Sequence, residues 1–237
     1  MAILSGIHPV AEALRSNHAL DRVLVARGAG GARIQEIIDL ARRANVPVRF
    51  EPRPALDRLA GTATHQGVVA MGSSKKFADL NDVSSGDLVV VLDGVEDPHN
   101  LGAIIRTAQA AGAGSVVIPD RRAAGLTDVV AKAAAGALEH VPVARVTNIN
   151  RTLEELKERG YWIYGLDERG TEDYDRVAYS KPTAIVLGGE GKGLHEQVRK
   201  HCDALVRIPM AGKISSLNVS VAAGVVLFEW RRRQAAK

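Results

Sequence analysis

Three loops of this chain carry residues whose types and spacing could do chemistry. The last runs from Ile208 to Gly224 and reads IPMAGKISSLNVSVAAG. An apolar strand, Ala204–Ile208, stops at Pro209, and an apolar-periodic segment then runs on to Trp230. Ser215, Ser216 and Asn218 stand where that segment begins. Such side chains accept from the backbone N–H groups that a helix start leaves unpaired. One residue is enough for a cap, so the surplus points to a second task. Gly212 and Lys213 suit a backbone that passes close to an anionic or planar group.

The first loop, DGVEDPHNLGAIIR, spans Asp93–Arg106, with Asn100 placed to cap the helix it opens. Arg106 lies inside the same helix, where a cation gains nothing from the positive N-terminal end of the dipole. Either a phosphate or a nearby acid would account for it. The middle loop, Leu187–Gly193, reads LGGEGKG and follows the strand Ala184–Leu187. Gly188, Gly189, Gly191 and Gly193 permit close backbone approach to a ligand. The spacing is not that of GxxxxGK[ST], and no GxGxxG follows the first strand of this half, so neither phosphate-loop signature applies. Glu190 amid the glycines disfavours a triphosphate and suits a ligand offering hydroxyls or a positive charge; an exposed Glu on a flexible turn is the plainer alternative.

Other chemistries find little support. The seven His are scattered, with no HxxxH and no CxxC, so no metal is expected. No GxSxG elbow is present. The single cysteine, Cys202, sits between an apolar helix and a strand, the setting of a buried, inert thiol.

The elements that must position these loops alternate along the second half. Leu88–Leu92, Ser115–Ile118, Val141–Val146, Trp162–Leu166, Ala184–Leu187 and Ala204–Ile208 read as strands. Leu101–Ala111, Thr127–Leu138, Ile149–Arg159, Leu194–His201 and Leu217–Arg233 read as helices. Strand–helix alternation with continuous apolar strands argues for an α/β domain built on a mostly parallel sheet, and ligands bind such sheets at the carboxyl ends of the strands. The first 72 residues form a smaller α/β module, with strands at Arg22–Val25, Val46–Phe50 and Gly67–Ala70 and helices at Pro9–Arg15 and Ala32–Ala44. Between the two, GSSKKFADLNDVSSGD is polar and aperiodic and reads as a linker.

The net charge is +4, and the first 72 residues hold nine Arg and no Lys against six acids, which is +3 of that total. Arginine suits bidentate phosphate contact, so a nucleic-acid partner is compatible. Aromatics are only 4% of the chain, which disfavours a base-stacking platform. No apolar run is long enough for a membrane span and no leader is evident, so a cytoplasmic protein is expected.

Taken together, DPHNLGAIIRTAQAAG, IVLGGEGKGL and IPMAGKISSLNVSVAAGVVLFE resemble, in order and spacing, the three motifs of the SpoU or TrmH family (SPOUT class) of RNA 2′-O-ribose methyltransferases. GIHPVAEAL at Gly6–Leu14 and HQGVVA at His65–Ala70 extend the resemblance through the first module. It is strongest to the bacterial 23S rRNA (guanosine-2′-O)-methyltransferases. The resemblance implies residues 1–72 as an L30e-like RNA-binding domain, 73–87 as a linker, and 88–237 as a methyltransferase domain whose C-terminal part forms a deep trefoil knot. It implies S-adenosylmethionine as methyl donor, contacted by Gly188, Ile208 and Leu217. Asn100, Arg106, Glu190, Ser216 and Asn218 would form the catalytic set. Arg106 would act as base or as phosphate clamp, the two Asn would orient the ribose and Arg106, and Glu190 and Ser216 would support that network. A homodimer with its site near the subunit interface is implied, with Leu101–Ala111 and the last helix as interface elements. The same chemistry on tRNA, or a non-catalytic RNA-binding protein of this fold, are the alternatives.

Overall fold

The computed structural model describes residues 2–16, 20–72, 77–83, 86–121, 123–189, 191 and 193–235. The first part of the chain forms β1 (Ala2–Ser5), α1 (Ile7–Arg15), β2 (Leu20–Ala26), α2 (Ala32–Arg43), β3 (Val48–Glu51), α3 (Arg53–Ala60) and β4 (Val68–Gly72). The four strands make one sheet in the order β1-β4-β2-β3. Its inner strands are apolar on both faces because each face has its own cover. Val23, Val25, Val68 and Ala70 meet Val10, Leu14, Ile34 and Ile37 of α1 and α2, while Leu24, Ala26, Val69 and Met71 meet Leu56 of α3. The period of two along each strand makes this division possible.

The remainder forms α4 (Leu80–Val83), β5 (Leu88–Asp93), α5 (Pro98–Ala111), β6 (Ser115–Pro119), α6 (Asp128–Ala134), β7 (Val143–Val146), α7 (Ile149–Glu158), β8 (Trp162–Leu166), β9 (Glu172–Asp173), β10 (Thr183–Gly188), α8 (Glu196–His201), β11 (Ala204–Arg207) and α9 (Val219–Ala235). Its sheet runs β7-β6-β5-β10-β8-β11-β9, and every pairing in it is parallel. All six residues of β5 are buried, as a strand covered on both faces requires. On one face Val89, Val91, Ile163, Ala184 and Val186 join Leu153 and Leu156 of α7 and Val198 of α8. α5 packs along α9, and α9 rests on β10. There the Trp230 Nε1–H donates to Thr183 Oγ1 at 2.9 Å in the interior. Each fully buried Val or Leu contributes about 1.5–3 kcal/mol, so the sheet is the stabilising centre of this half.

Two sequence expectations change. By contacts the chain divides into Met1–Lys76 with Leu126–His140, and Phe77–Gly125 with Val141–Lys237. The segment expected as the helix Thr127–Leu138 of the larger domain therefore packs with the first unit. Its helix also ends early: Ala135 and Gly136 both take positive φ, and a 3₁₀ turn follows at Ala137–Glu139. A Cβ on Gly136 would stand 2.4 Å from Glu12 Cγ, so the absence of a side chain is what lets this segment close on α1. The expected linker is also partly ordered. Ala78 bridges Ala144, α4 follows, and the Phe77 ring lies 4.4 Å from the Arg145 guanidinium carbon. Polar composition hid these few apolar anchors. No helix among the described residues is long and apolar enough to cross a membrane.

The order of the larger sheet fixes where a ligand can go. From β5 the chain moves outward through β6 to β7, then returns on the other side, and β10 inserts between β5 and β8. The loops after β5, β8, β10 and β11 all leave the carboxyl edge near this reversal, the place where open α/β sheets bind ligands.

Candidate active site

A cleft of about 590 Å³ opens at this edge. Leu187, Gly188, Gly189, Gly191 and Gly193 come to it from the β10 loop. Ile208, Met210, Ser215, Ser216, Leu217 and Asn218 come from the passage between β11 and α9. Its size and its mix of apolar wall and a few polar groups suit a small organic ligand. Gly188, Ile208, Ser216, Leu217 and Asn218, all expected at a site, are thus placed together. Glu190, expected with them, lies outside the described residues.

The glycines are needed for two different reasons. A Cβ on Gly188 would lie 2.2 Å from the Gly193 carbonyl carbon, and one on Gly189 would lie 2.1 Å from the Gly94 carbonyl oxygen. What approaches closely there is the chain's own backbone. The Gly193 N–H donates to Gly189 O at 3.2 Å, and the Gly189 N–H to Asp93 O at 2.8 Å, so the loop folds back and is tied to the end of β5. Asp93 adds a second tie, accepting from the His195 N–H at 2.8 Å and contacting its Nδ1 at 2.9 Å. Gly191 and Gly193 instead take positive φ, +77° and +62°, which favours glycine at both.

Local chemistry explains the start of α9. Asn218 Oδ1 accepts from the Ser220 N–H at 2.9 Å and the Val221 N–H at 3.4 Å, so Asn218 is the cap. Holding Oδ1 toward the helix turns Nδ2 outward, where it donates to Asn100 Oδ1 at 3.1 Å. Ser215 and Ser216 are exposed on the cleft, while the cap contacts to Ser220 and Val221 come from Asn218.

Asn100 does not cap α5, as its position had implied. Asp97 does, accepting from the Asn100 N–H at 2.8 Å, with Pro98 at the first helical position. The Asn100 side-chain oxygen meets Asn218 instead. Six residues at about 100° each put Arg106 about 120° round the helix from Asn100. Arg106 is exposed and does not line the cleft. Among the described residues it has no hydrogen-bond or ion-pair partner, so the nearby acid that would have explained it is not found there.

Sequence reasoning missed the loop after β8. Asp167, Glu168 and Arg169 line the cleft, and Asp167 is only 5% exposed. The signal was their place at a strand's carboxyl end, masked by the look of an ordinary polar turn in LDERG. Cys202 is confirmed as a packing residue: burial pushes its thiol up to about 12, and a Cβ on Gly165 would stand 2.7 Å from its Sγ.

A parallel sheet whose carboxyl-edge loops enclose a small-ligand cleft, with the Asn218–Asn100 pair beside it, defines a ligand-binding domain of the α/β class. Comparison with known proteins gives the family. Residues 87–228 match the SpoU rRNA methylase family, and residues 3–78 match the RNA 2′-O ribose methyltransferase substrate-binding domain. The chain belongs to the SpoU family and is an RNA 2′-O-ribose methyltransferase of the SpoU/TrmH type. It is 45% identical over 236 residues, 97% of this chain and 94% of the relative, to YacO of Bacillus subtilis, described as a TrmH-family tRNA/rRNA methyltransferase. The crystal structure of the SpoU methyltransferase AviRb from Streptomyces viridochromogenes, in complex with AdoMet, matches with TM-score 0.85 at 26% identity, covering 99% of this chain and 91% of that one. An AdoMet-bound rRNA methyltransferase from Sinorhizobium meliloti matches with TM-score 0.82 at 26% identity, covering 98% and 87%.

The double use of Asn218 yields a test. Asn218→Ala should lose about 1 kcal/mol of stability with its cap, whereas Asn218→Asp, an equally good cap, should unfold within about 0.5 kcal/mol of the parent. Methyl transfer to RNA should fall at least tenfold in both, because neither offers Asn100 the amide donor. Chemical denaturation and initial rates measured side by side check this; full activity in Asn218→Asp would show the Asn100 contact to be dispensable.

Proposed function

We propose that this protein transfers a methyl group from S-adenosylmethionine to the ribose 2′-hydroxyl of a guanosine in 23S rRNA. The observation that carries the reading is the cleft with the Asn218–Asn100 pair at its mouth: one wall suits a nucleoside, and the polar rim suits a second ribose. Leu166, Leu187, Ile208 and Leu217 offer the apolar slot an adenine needs, with Gly188 beside them. Bound S-adenosylmethionine supplies an electrophilic methyl on a sulfonium. The chain's own task is to bring the RNA hydroxyl in line with that bond, and such positioning supplies much of the acceleration. Asn218 and Asn100 orient the acceptor ribose, with Ser216 and Glu190 in support. A guanidinium suits a phosphate better than a proton, so the role of Arg106 is to clamp an RNA phosphate and favour loss of the hydroxyl proton to water.

The two AdoMet-bound relatives support the cofactor, and the substrate-binding match to residues 3–78 supports RNA held by the Arg-rich first unit. We read that unit as L30e-like and the passage from β11 to α9 as the closing segment of the family's knot. The protein acts as a homodimer. Val221 and Phe228 stand seven residues apart on α9 and are 53% and 50% exposed, an apolar face that a second copy would cover. The exposed face of α5 carrying Arg106 belongs to the same interface region.

In a strain lacking the gene, one guanosine of 23S rRNA should lose its ribose methyl; loss from a tRNA instead would establish the alternative substrate. Arg106→Ala should abolish methyl transfer while calorimetry finds cofactor affinity within about threefold, since Arg106 serves the RNA side. Collapse of cofactor binding would make it a structural residue. Phe228→Glu should convert a dimer to a monomer in sedimentation velocity, and an unchanged sedimentation coefficient would place the interface elsewhere.

A further inference from the structure

We propose that Asp167 selects the cofactor by its sugar, its free carboxylate oxygen accepting a hydrogen bond from a ribose hydroxyl of S-adenosylmethionine. The inference rests on the cofactor reading above and concerns a residue outside the three loops that suggested it.

Asp167 follows β8, and its N–H donates to Val206 O at 3.0 Å, so the β8–β11 ladder fixes its backbone. Its two carboxylate oxygens have different fates. Oδ1 accepts from the Arg169 N–H at 3.0 Å, closing a local turn, and has the Arg169 Nε at 3.3 Å. Oδ2 is buried and has no hydrogen-bond partner among the described residues. The Arg199 Nε, at 4.0 Å, is beyond hydrogen-bond reach. A buried acceptor left without a donor is costly, and this one borders the cleft.

Gly193 keeps this oxygen approachable. A Cβ there would lie 3.7 Å from Asp167 Oδ2, with no other heavy atom of its surroundings within 4 Å. The missing side chain leaves a space between the carboxylate and the β10 loop. A ligand hydroxyl entering there meets Oδ2 with only a small adjustment of a glycine-rich segment.

Charge decides which group of the cofactor is recognised. Two guanidinium groups already face this carboxylate, so a further cation would add little and be repelled by both. What Oδ2 lacks is a neutral donor. The ribose hydroxyls supply one, by the same physics that sets an acidic residue on the ribose of a dinucleotide in other α/β sheets.

Calorimetry on the full-length protein with demethylated cofactor, S-adenosylhomocysteine, tests this without relying on activity. The unmodified protein should bind the 2′-deoxy or the 3′-deoxy form about 10- to 100-fold more weakly, the worth of one charge-assisted hydrogen bond. Asp167→Ala should bind the ribo form weakly and no longer distinguish it from that deoxy form, while Asp167→Asn retains part of the distinction. 5′-Methylthioadenosine, which keeps the ribose and lacks the ammonium, should lose as much affinity in Asp167→Ala as S-adenosylhomocysteine does. Equal binding of ribo and deoxy forms by the unmodified protein would overturn the inference and leave the cofactor reading intact. So would a loss in Asp167→Ala confined to the ligand bearing the ammonium. Failure of the unmodified protein to bind either S-adenosylmethionine or S-adenosylhomocysteine would overturn the cofactor reading, and the inference with it.

Discussion

The close approach of backbone to backbone where β10 leaves the sheet is the constraint on which the rest of the site depends. Gly188 and Gly189 sit where a Cβ would fall 2.2 Å from Gly193 and 2.1 Å from Gly94. No side chain is compatible with either distance without moving main chain. The β10 loop can therefore fold back on itself and lie against the loop after β5, and the hydrogen bonds from Gly189 and His195 to Asp93 hold it there. This contact forms one side of the cleft. It also brings the loop that leads into α5 beside the loop that receives the ligand. A chain with ordinary residues at these two positions would have the same sheet and a different edge.

Across the cleft, the start of α9 solves a complementary problem. A helix entrance must satisfy its free N–H groups, and a substrate site needs polar groups with fixed orientation. Asn218 does both because its amide has two ends. The acceptor is committed to Ser220 and Val221, and that commitment determines where the donor points. Asp97 plays the matching part on α5: it takes the cap, and the Asn100 Oδ1 accepts from Asn218. Two helix starts, each stabilised by its own cap, thereby present a hydrogen-bonded amide pair at little cost in conformational freedom.

Much of this was legible in the sequence, for identifiable reasons. Continuous apolar strands such as Leu88–Leu92 betray burial on both faces, and the glycine and Ser-Asn clusters stand out at strand ends. Three features were hidden. Residues 126–140 are composed like any small-residue helix, and only contact with β1 and α1 shows that they pack with the first unit. The Asp97 cap was obscured because Asn100 is an equally good capping residue by type. Asp167 looks like half of a solvated turn, and its burial follows from the register of β8 beside β11, a non-local fact that no local pattern encodes. The glycines at 188 and 189 were found, but their type signals close approach without saying that the chain's own backbone is one of the groups approached.

The geometry separates the expected site residues more than the sequence motifs imply. Gly188, Ile208, Leu217 and Asp167 face one cleft, whereas Arg106 stands exposed, about a third of a turn away from Asn100 on its helix and outside the cleft wall. A guanidinium placed in the cleft would sit beside a cationic sulfonium and raise the energy of the bound cofactor. On the role proposed for it, Arg106 would act only when an RNA phosphate arrives with the ribose, so the acceptor itself would bring that charge into use. The amide pair is the physical link between the two sides: Asn218 belongs to the passage that walls the cleft, and Asn100 to the helix that carries Arg106. Transfer then depends less on any single acid or base than on how rigidly that link holds the two sides in register.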